Sequence, residues 1–109
     1  MANSYLVLGQ VVPSASVLTT LYTVPSLSAV VSSLTVCNQN SNTTANIRIS
    51  IAVGGAADTQ AQYLYYNLPI DSNNTFIATV GLTLASTDVI RVYSDQPNVS
   101  FQAFGDQIS

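Results

Sequence analysis

In the run Ala45-Asn46-Ile47-Arg48-Ile49-Ser50-Ile51-Ala52-Val53, apolar and polar side chains alternate with a period of two. Ile47, Ile49, Ile51 and Val53 fall on one side, and Asn46, Arg48 and Ser50 on the other. A helix would scatter these isoleucines around its axis, whereas a strand gathers them on one face, so the spacing predicts an antiparallel strand with one wet side. Phe76, Ala78, Val80, Leu82 and Leu84 alternate in the same way. Runs rich in valine, isoleucine, threonine and tyrosine cover residues 5–9, 17–24, 29–37, 62–68, 88–94 and 99–104. Between them stand turn signals: Pro13-Ser14-Ala15-Ser16, Pro25-Ser26, residues 38–44, Gly54-Gly55 through Asp58, Asp71-Ser72-Asn73-Asn74, Ala85-Ser86-Thr87-Asp88 and Asp95-Gln96-Pro97-Asn98. About eight short strands at steady spacing, with no long helical period, predict an all-β antiparallel sandwich, because two facing sheets give both sets of alternating apolar residues a core. Pattern alone leaves the strand order open between a jelly-roll and an immunoglobulin-like arrangement. No internal repeat or linker interrupts the pattern, so one domain is expected over residues 1–109.

The same 109 residues carry very little charge: two Lys+Arg, five Asp+Glu and no histidine, against 48% hydrophobic residues. The cations are Arg48 and Arg91, and the acids Asp58, Asp71, Asp88, Asp95 and Asp106. Two separate arginines on a chain of net charge −3 cannot neutralise a phosphate backbone, which argues against nucleic acid as a partner. The apolar fraction is too high for disorder. About 41 residues are Ser, Thr, Asn or Gln, so the surface is built from neutral polar groups that salt barely affects. It also lacks the lysines that ordinarily keep strand edges apart, which suits a subunit that docks. Met1-Ala2-Asn3-Ser4-Tyr5 has no basic start and Leu6-Val7-Leu8 is too short for a signal core. No apolar run reaches the roughly 18 residues of a membrane span, so no membrane association is expected.

Catalytic chemistry finds few residues to use. Cys37 has no histidine or basic neighbour in sequence to activate it and is expected to be a buried structural thiol. The serines and threonines lack a Gly-x-Ser-x-Gly elbow, and without histidine or lysine the only common base left is aspartate. Asp58, Asp71, Asp88 and Asp95 fall in predicted turns, where aspartate belongs for conformational reasons. The acids form no calcium-loop series, and Gly54-Gly55-Ala56-Ala57 lacks the Lys-Ser/Thr of a phosphate loop, reading instead as a flexible hairpin loop. No catalytic residue, metal ligand or cofactor site is therefore expected. Asn42-Thr43-Thr44, Asn73-Asn74-Thr75 and Asn98-Val99-Ser100 match the glycosylation pattern but are chance matches in so Asn- and Thr-rich a chain.

Tyr63, Tyr65 and Tyr66 form the candidate interface. Strict alternation places Tyr63 and Tyr65 on one side of their strand and Tyr66 on the other. They serve either as a protein interface or sugar platform, because tyrosine offers rigid area with a polar tip, or as core filler and sheet cover.

The stretch Leu21-Tyr22-Thr23-Val24-Pro25, the strand ending Val36-Cys37-Asn38, then Tyr63-Leu64-Tyr65-Tyr66, Asn74-Thr75-Phe76, the segment from Leu84-Ala85-Ser86-Thr87-Asp88 to Val89-Ile90-Arg91-Val92-Tyr93, and the closing Phe104-Gly105-Asp106-Gln107-Ile108 together resemble small virion structural proteins of tailed bacteriophages, notably those of marine and cyanobacterial hosts. The resemblance runs from Tyr5 to Ile108 and implies a β-sandwich particle component without enzymatic activity. With the neutral surface, it leads to the expectation of a capsid decoration (cement) protein, made in the host cytoplasm and placed on the capsid exterior. Its partners would be the major capsid protein and copies of itself, as a trimer. A tail, baseplate or fibre component with a host-receptor or carbohydrate-binding role is the alternative, ahead of a free carbohydrate-binding module or an enzyme.

Overall fold

The structure, a computed structural model, describes residues 3–25 and 27–108. Ser26 of the Pro25-Ser26 turn lies outside the described residues, as do Met1, Ala2 and Ser109. Eight strands follow one another: β1 (Asn3–Val11), β2 (Thr19–Thr23), β3 (Ser28–Asn38), β4 (Ala45–Ala52), β5 (Tyr63–Ile70), β6 (Thr75–Ala85), β7 (Val89–Ser94) and β8 (Val99–Ile108). They form two four-stranded sheets, β1-β8-β3-β6 and β2-β7-β4-β5, with every neighbouring pair antiparallel. The all-β sandwich expected from the spacing is what the chain forms. The first strand pairs with the last, and the chain crosses to the other sheet at every connection except β4 to β5, which is the double Greek-key order of a jelly roll. An immunoglobulin-like order would instead gather strands one, two, four and five into one sheet.

The core lies between the sheets. Val31, Leu34 and Val36 of β3, Phe101 and Ala103 of β8, Ile47 and Ile49 of β4, and Ile90 and Val92 of β7 are all essentially without solvent contact. The two central strands of each sheet thus carry most of it, with side chains from alternate positions interdigitating. Gly105 sits where β8 crosses β3 so closely that a Cβ would overlap the Val30 carbonyl oxygen. Gly81 takes φ +68 at the point where the β3–β6 register shifts, a bulge that needs a residue tolerant of the left-handed region.

Strand ends depart modestly from the expectation. β2 starts at Thr19 rather than residue 17, and β1 and β8 extend beyond their apolar runs through pairing with each other. On β4, Ile47 and Ile49 face the core and Ile51 packs against it. Val53 leaves that face because the strand ends at Ala52 and a 3-10 turn begins. The opposite side of β4 is not wet throughout: Ser50 and Ala52 are fully buried although they lie outside the core cluster. The segment 53–62 lies against this sheet, held by the Arg91 guanidinium donating to the carbonyls of Gly55 and Ala56 (3.2 and 2.8 Å) and by the Gly54 N–H donating to Asp88 Oδ1 (2.9 Å). The flexible hairpin loop expected at Gly54-Gly55 is thus two 3-10 turns pinned to β7.

Two buried polar residues lock the turns. Asn38, at the end of β3, donates through Nδ2 toward the carbonyls of Thr43, Ile70 and Asp71, and its Oδ1 accepts from the N–H and Nδ2 of Asn40. Asp88 accepts from Gly54 N and Ala85 N, one on each carboxylate oxygen. Asp95 likewise holds both the backbone and side-chain nitrogens of Asn46. The turn placement of these aspartates is therefore satisfied by specific backbone donors, as buried polar groups require.

Candidate functional site

The three tyrosines separate in space. Ile47 faces Leu68, Ile49 faces Tyr65 and Ser50 faces Tyr63 across the β4–β5 ladder, so β5 carries one extra residue in each interval. Asn67 takes φ +56 within the first of these irregularities. Each extra residue resets the alternation, as a bulge does. Tyr65, opposite the buried Ile49, packs against the core and meets Phe76 edge-on, with centroids 5.3 Å apart and planes at 77°. Tyr63 and Tyr66 come together instead, 5.1 Å apart and at 89°. The expected grouping of Tyr63 with Tyr65 against Tyr66 is corrected by these bulges: Tyr65 is partly core, and Tyr63 and Tyr66 share the outer side.

On that outer side the pair extends into a larger cluster. The Arg48 guanidinium carbon lies 4.3 Å from the ring centroids of both Tyr66 and Tyr93, a double cation–π arrangement. Its Nε donates to Asn67 Oδ1 at 2.8 Å. Tyr63 donates its hydroxyl to Asp58 Oδ2 at 2.9 Å, and a shallow notch of about 330 Å³ opens between Gln60, Tyr63 and Tyr66. Sequence reasoning passed over Arg48 and Tyr93 as partners of the tyrosines; their outward positions on β4 and β7, directly opposite each other, are the signal that links them.

Burial raises the Tyr63 pKa, assisted by the hydrogen bond to Asp58 and that carboxylate's negative charge. Burial alone raises that of Tyr22, whose hydroxyl donates to Gln107 Oε1 at 2.7 Å. Both phenols thus hold their protons more tightly folded than unfolded. Their contribution to stability is complete below the unfolded value near 10 and is lost as pH rises through the higher folded values. Urea midpoints should therefore hold level to about pH 10 and fall above it. A Tyr22→Phe/Tyr63→Phe double variant should show a shallower alkaline fall, and an identical fall in that variant would reject the assignment.

The second candidate surface is the outer face of the β1-β8-β3-β6 sheet. Three transverse rows cross it: Tyr5, Asp106, Val30 and Thr83; Val7, Phe104, Ser33 and Thr79; Gln10, Gln102, Thr35 and Ile77. Only Asp106 among these twelve is charged. Tyr5 is 82% exposed and Ile77 64%, and a depression of about 460 Å³ lies over Tyr5, Leu6, Val30 and Phe104. Cys37, expected to be buried, is a free thiol lying half-buried on this face between Thr75 and Ser100, because the side of β3 that it occupies is the outward one.

No protein-family model matches the sequence, and no curated protein is significantly similar to it. The functional reading therefore rests on these surfaces. Among the described residues no three His, Cys, Asp or Glu side chains come together as a metal cluster, and no helix is long and apolar enough to cross a membrane. The two arginines are both on the β2-β7-β4-β5 sheet, one stacked between tyrosines and the other bound to backbone carbonyls. The arrangement presents one broad neutral face and one small aromatic–arginine cluster.

Proposed function

We propose that this chain is a non-enzymatic virion structural subunit, a capsid decoration protein that docks on the major-capsid lattice from outside and acts in many copies. The observation that carries the reading is the outer face of β1-β8-β3-β6, where Tyr5, Val7, Val30, Ile77 and Phe104 alternate with hydroxyl and amide side chains around a single carboxylate. Such a face combines apolar burial with neutral hydrogen bonding, the composition of a protein interface core, which is depleted of charge. Weak contacts of this kind gain strength when repeated over a lattice. The jelly roll recurs in viral capsid and lectin domains, but architecture does not assign a function, and the surface bears the argument. Localisation in a cryo-EM map of the phage particle tests it. Density for this fold at hundreds of positions over the capsid is the expected result, and its absence from the capsid shell overturns the reading.

The Tyr63–Tyr66 notch favours one second reading, a tail, baseplate or fibre component that binds a carbohydrate receptor. Two rings at right angles, with Gln60 at the notch and the Arg48 fork behind Tyr66, supply the stacking surface and planar hydrogen-bonding groups that a sugar needs. A handful of copies at the tail, together with glycan binding lost in Tyr66→Ala, would select it over decoration.

A further inference from the structure

The four edge strands of the two sheets are unequal. In β2-β7-β4-β5, the edge strand β2 has only five residues, and the other edge, β5, carries Pro69 and two register irregularities. Short length, proline and bulges are the devices by which natural sheets discourage further pairing. In β1-β8-β3-β6, by contrast, both edges are long: β1 has nine residues and β6 eleven, and neither contains a charge or a proline. Each has one bulge, but straight segments remain, with unbroken register over residues 3–7 of β1 and 75–79 of β6. The first half of β1 is unusual in a second way. Residues 3–7 are exposed on both sides of the strand, leaving Tyr5 at 82%, Leu6 at 41% and Val7 at 46%. A strand whose consecutive apolar residues are all uncovered, and whose outer backbone groups face no neighbour, has the chemistry of an unfilled pairing site.

From these edges we infer that copies of the chain join head to tail, β6 of one adding antiparallel to β1 of the next. The directions permit it. Successive strands in β1-β8-β3-β6 are antiparallel, so β1 and β6 run in opposite senses, and a neighbour brought alongside by rotation about an axis along the strands places its β1 antiparallel to β6. Pairing β6 with β6, or β1 with β1, would satisfy one edge and leave the other open. The heterologous arrangement satisfies both, and closes as a ring when the rotation allows. A ring of three is the closure that suits a lattice three-fold, and only that number rests on the decoration reading. The edge pairing itself is a property of the isolated protein.

The test therefore uses purified protein. Light scattering should show a closed oligomer, and Thr79→Lys/Thr83→Lys on β6 or Leu6→Lys on β1 should each convert it to monomer with an unchanged far-UV circular dichroism spectrum. In a Cys37→Ser background, co-expressed Val7→Cys and Thr79→Cys chains, whose substituted positions share the outer face, should be joined by a short thiol cross-linker into pairs containing one of each. A wild-type monomer at high micromolar concentration overturns the inference. So does cross-linking of Thr79→Cys or Val7→Cys only to itself, which marks a two-fold interface. Neither result bears on whether the particle carries the protein, which the cryo-EM map decides.

Discussion

Replacing Asn38 by alanine should destabilise the fold by about 3 kcal/mol or more, because an unsatisfied buried polar group costs roughly 1–3 kcal/mol and this side chain serves several. Asn38 is fully buried, and its amide nitrogen lies between the carbonyls of Thr43, Ile70 and Asp71 at 2.8, 3.0 and 3.3 Å. Its oxygen receives the Asn40 backbone N–H at 3.0 Å and the Asn40 amide at 2.8 Å, and that amide also reaches the Pro97 carbonyl. One side chain therefore ties the end of β3 to the β3–β4, β5–β6 and β7–β8 connections. Against a typical total of about 5–15 kcal/mol, the loss is a large fraction of the stability. It should appear as a fall in Tm of about 10–20 °C at this chain length. Asn38→Asp discriminates the cause, since it keeps size and the accepting oxygen but turns a second acceptor toward the three carbonyls. It should be at least as damaging as alanine at neutral pH. Gln39→Ala, removing an exposed contact of 3.3 Å to the Ser100 hydroxyl, should change stability by no more than about 0.5 kcal/mol. A loss below about 1 kcal/mol for Asn38→Ala would show that the turns hold without it.

Asn38 also shows where sequence reading stops. Followed by Gln39 and Asn40, it reads as the start of a turn, and nothing in a single chain separates a solvated turn asparagine from one buried between three connections. What could be read was local. Alternation in β3, β4, β6 and β8 is visible because one face of each strand is committed to the core. The positions of Asn73 and Asn98 in left-handed turns follow from residue type, and both have positive φ. The misplaced tyrosine grouping has a definite physical origin, since a bulge changes facing without changing composition and β5 has two irregularities within eight residues. Burial of Ser50 and Ala52 was equally hidden, because it depends on a ten-residue connection being drawn onto the sheet by Arg91, far away in sequence. Strand order needs pairings such as Tyr5 with Asp106, separated by nearly the whole chain, which period-two spacing does not encode. The neutral face proposed to dock lay between these limits. Its lack of charge was legible in composition, but its assembly from β1, β3, β6 and β8 required the topology.

Washing phage particles in rising sodium chloride should leave the proposed decoration layer in place, whereas a few molar urea should remove most of it. An attachment held by ion pairs would respond in the opposite way to salt, because the Debye length contracts from about 10 Å at 0.1 M to about 3 Å at 1 M. The face proposed to dock has little for salt to screen: Asp106 is the one charge in its three rows. Arg48 and Arg91, the chain's two cations, lie on the other sheet, stacked on Tyr66 and Tyr93 or bound to Gly55 and Ala56. Burial of Tyr5, Val7, Ile77 and Phe104, with hydrogen bonds from the surrounding threonines and glutamines, is then the main source of affinity, and urea weakens both by solvating apolar and peptide groups. High sulfate should strengthen retention for the same reason, since it is excluded from protein surface. Counting copies per particle by quantitative gel after each wash gives the answer. Loss of half the copies between 0.1 and 1 M sodium chloride, in the range where screening acts, would refute a neutral interface even on a particle that carries the protein. A parallel wash with a divalent chelator isolates any ion shared between Asp106 and a neighbouring subunit: loss in chelator but not in salt would move the attachment from apolar burial to metal bridging.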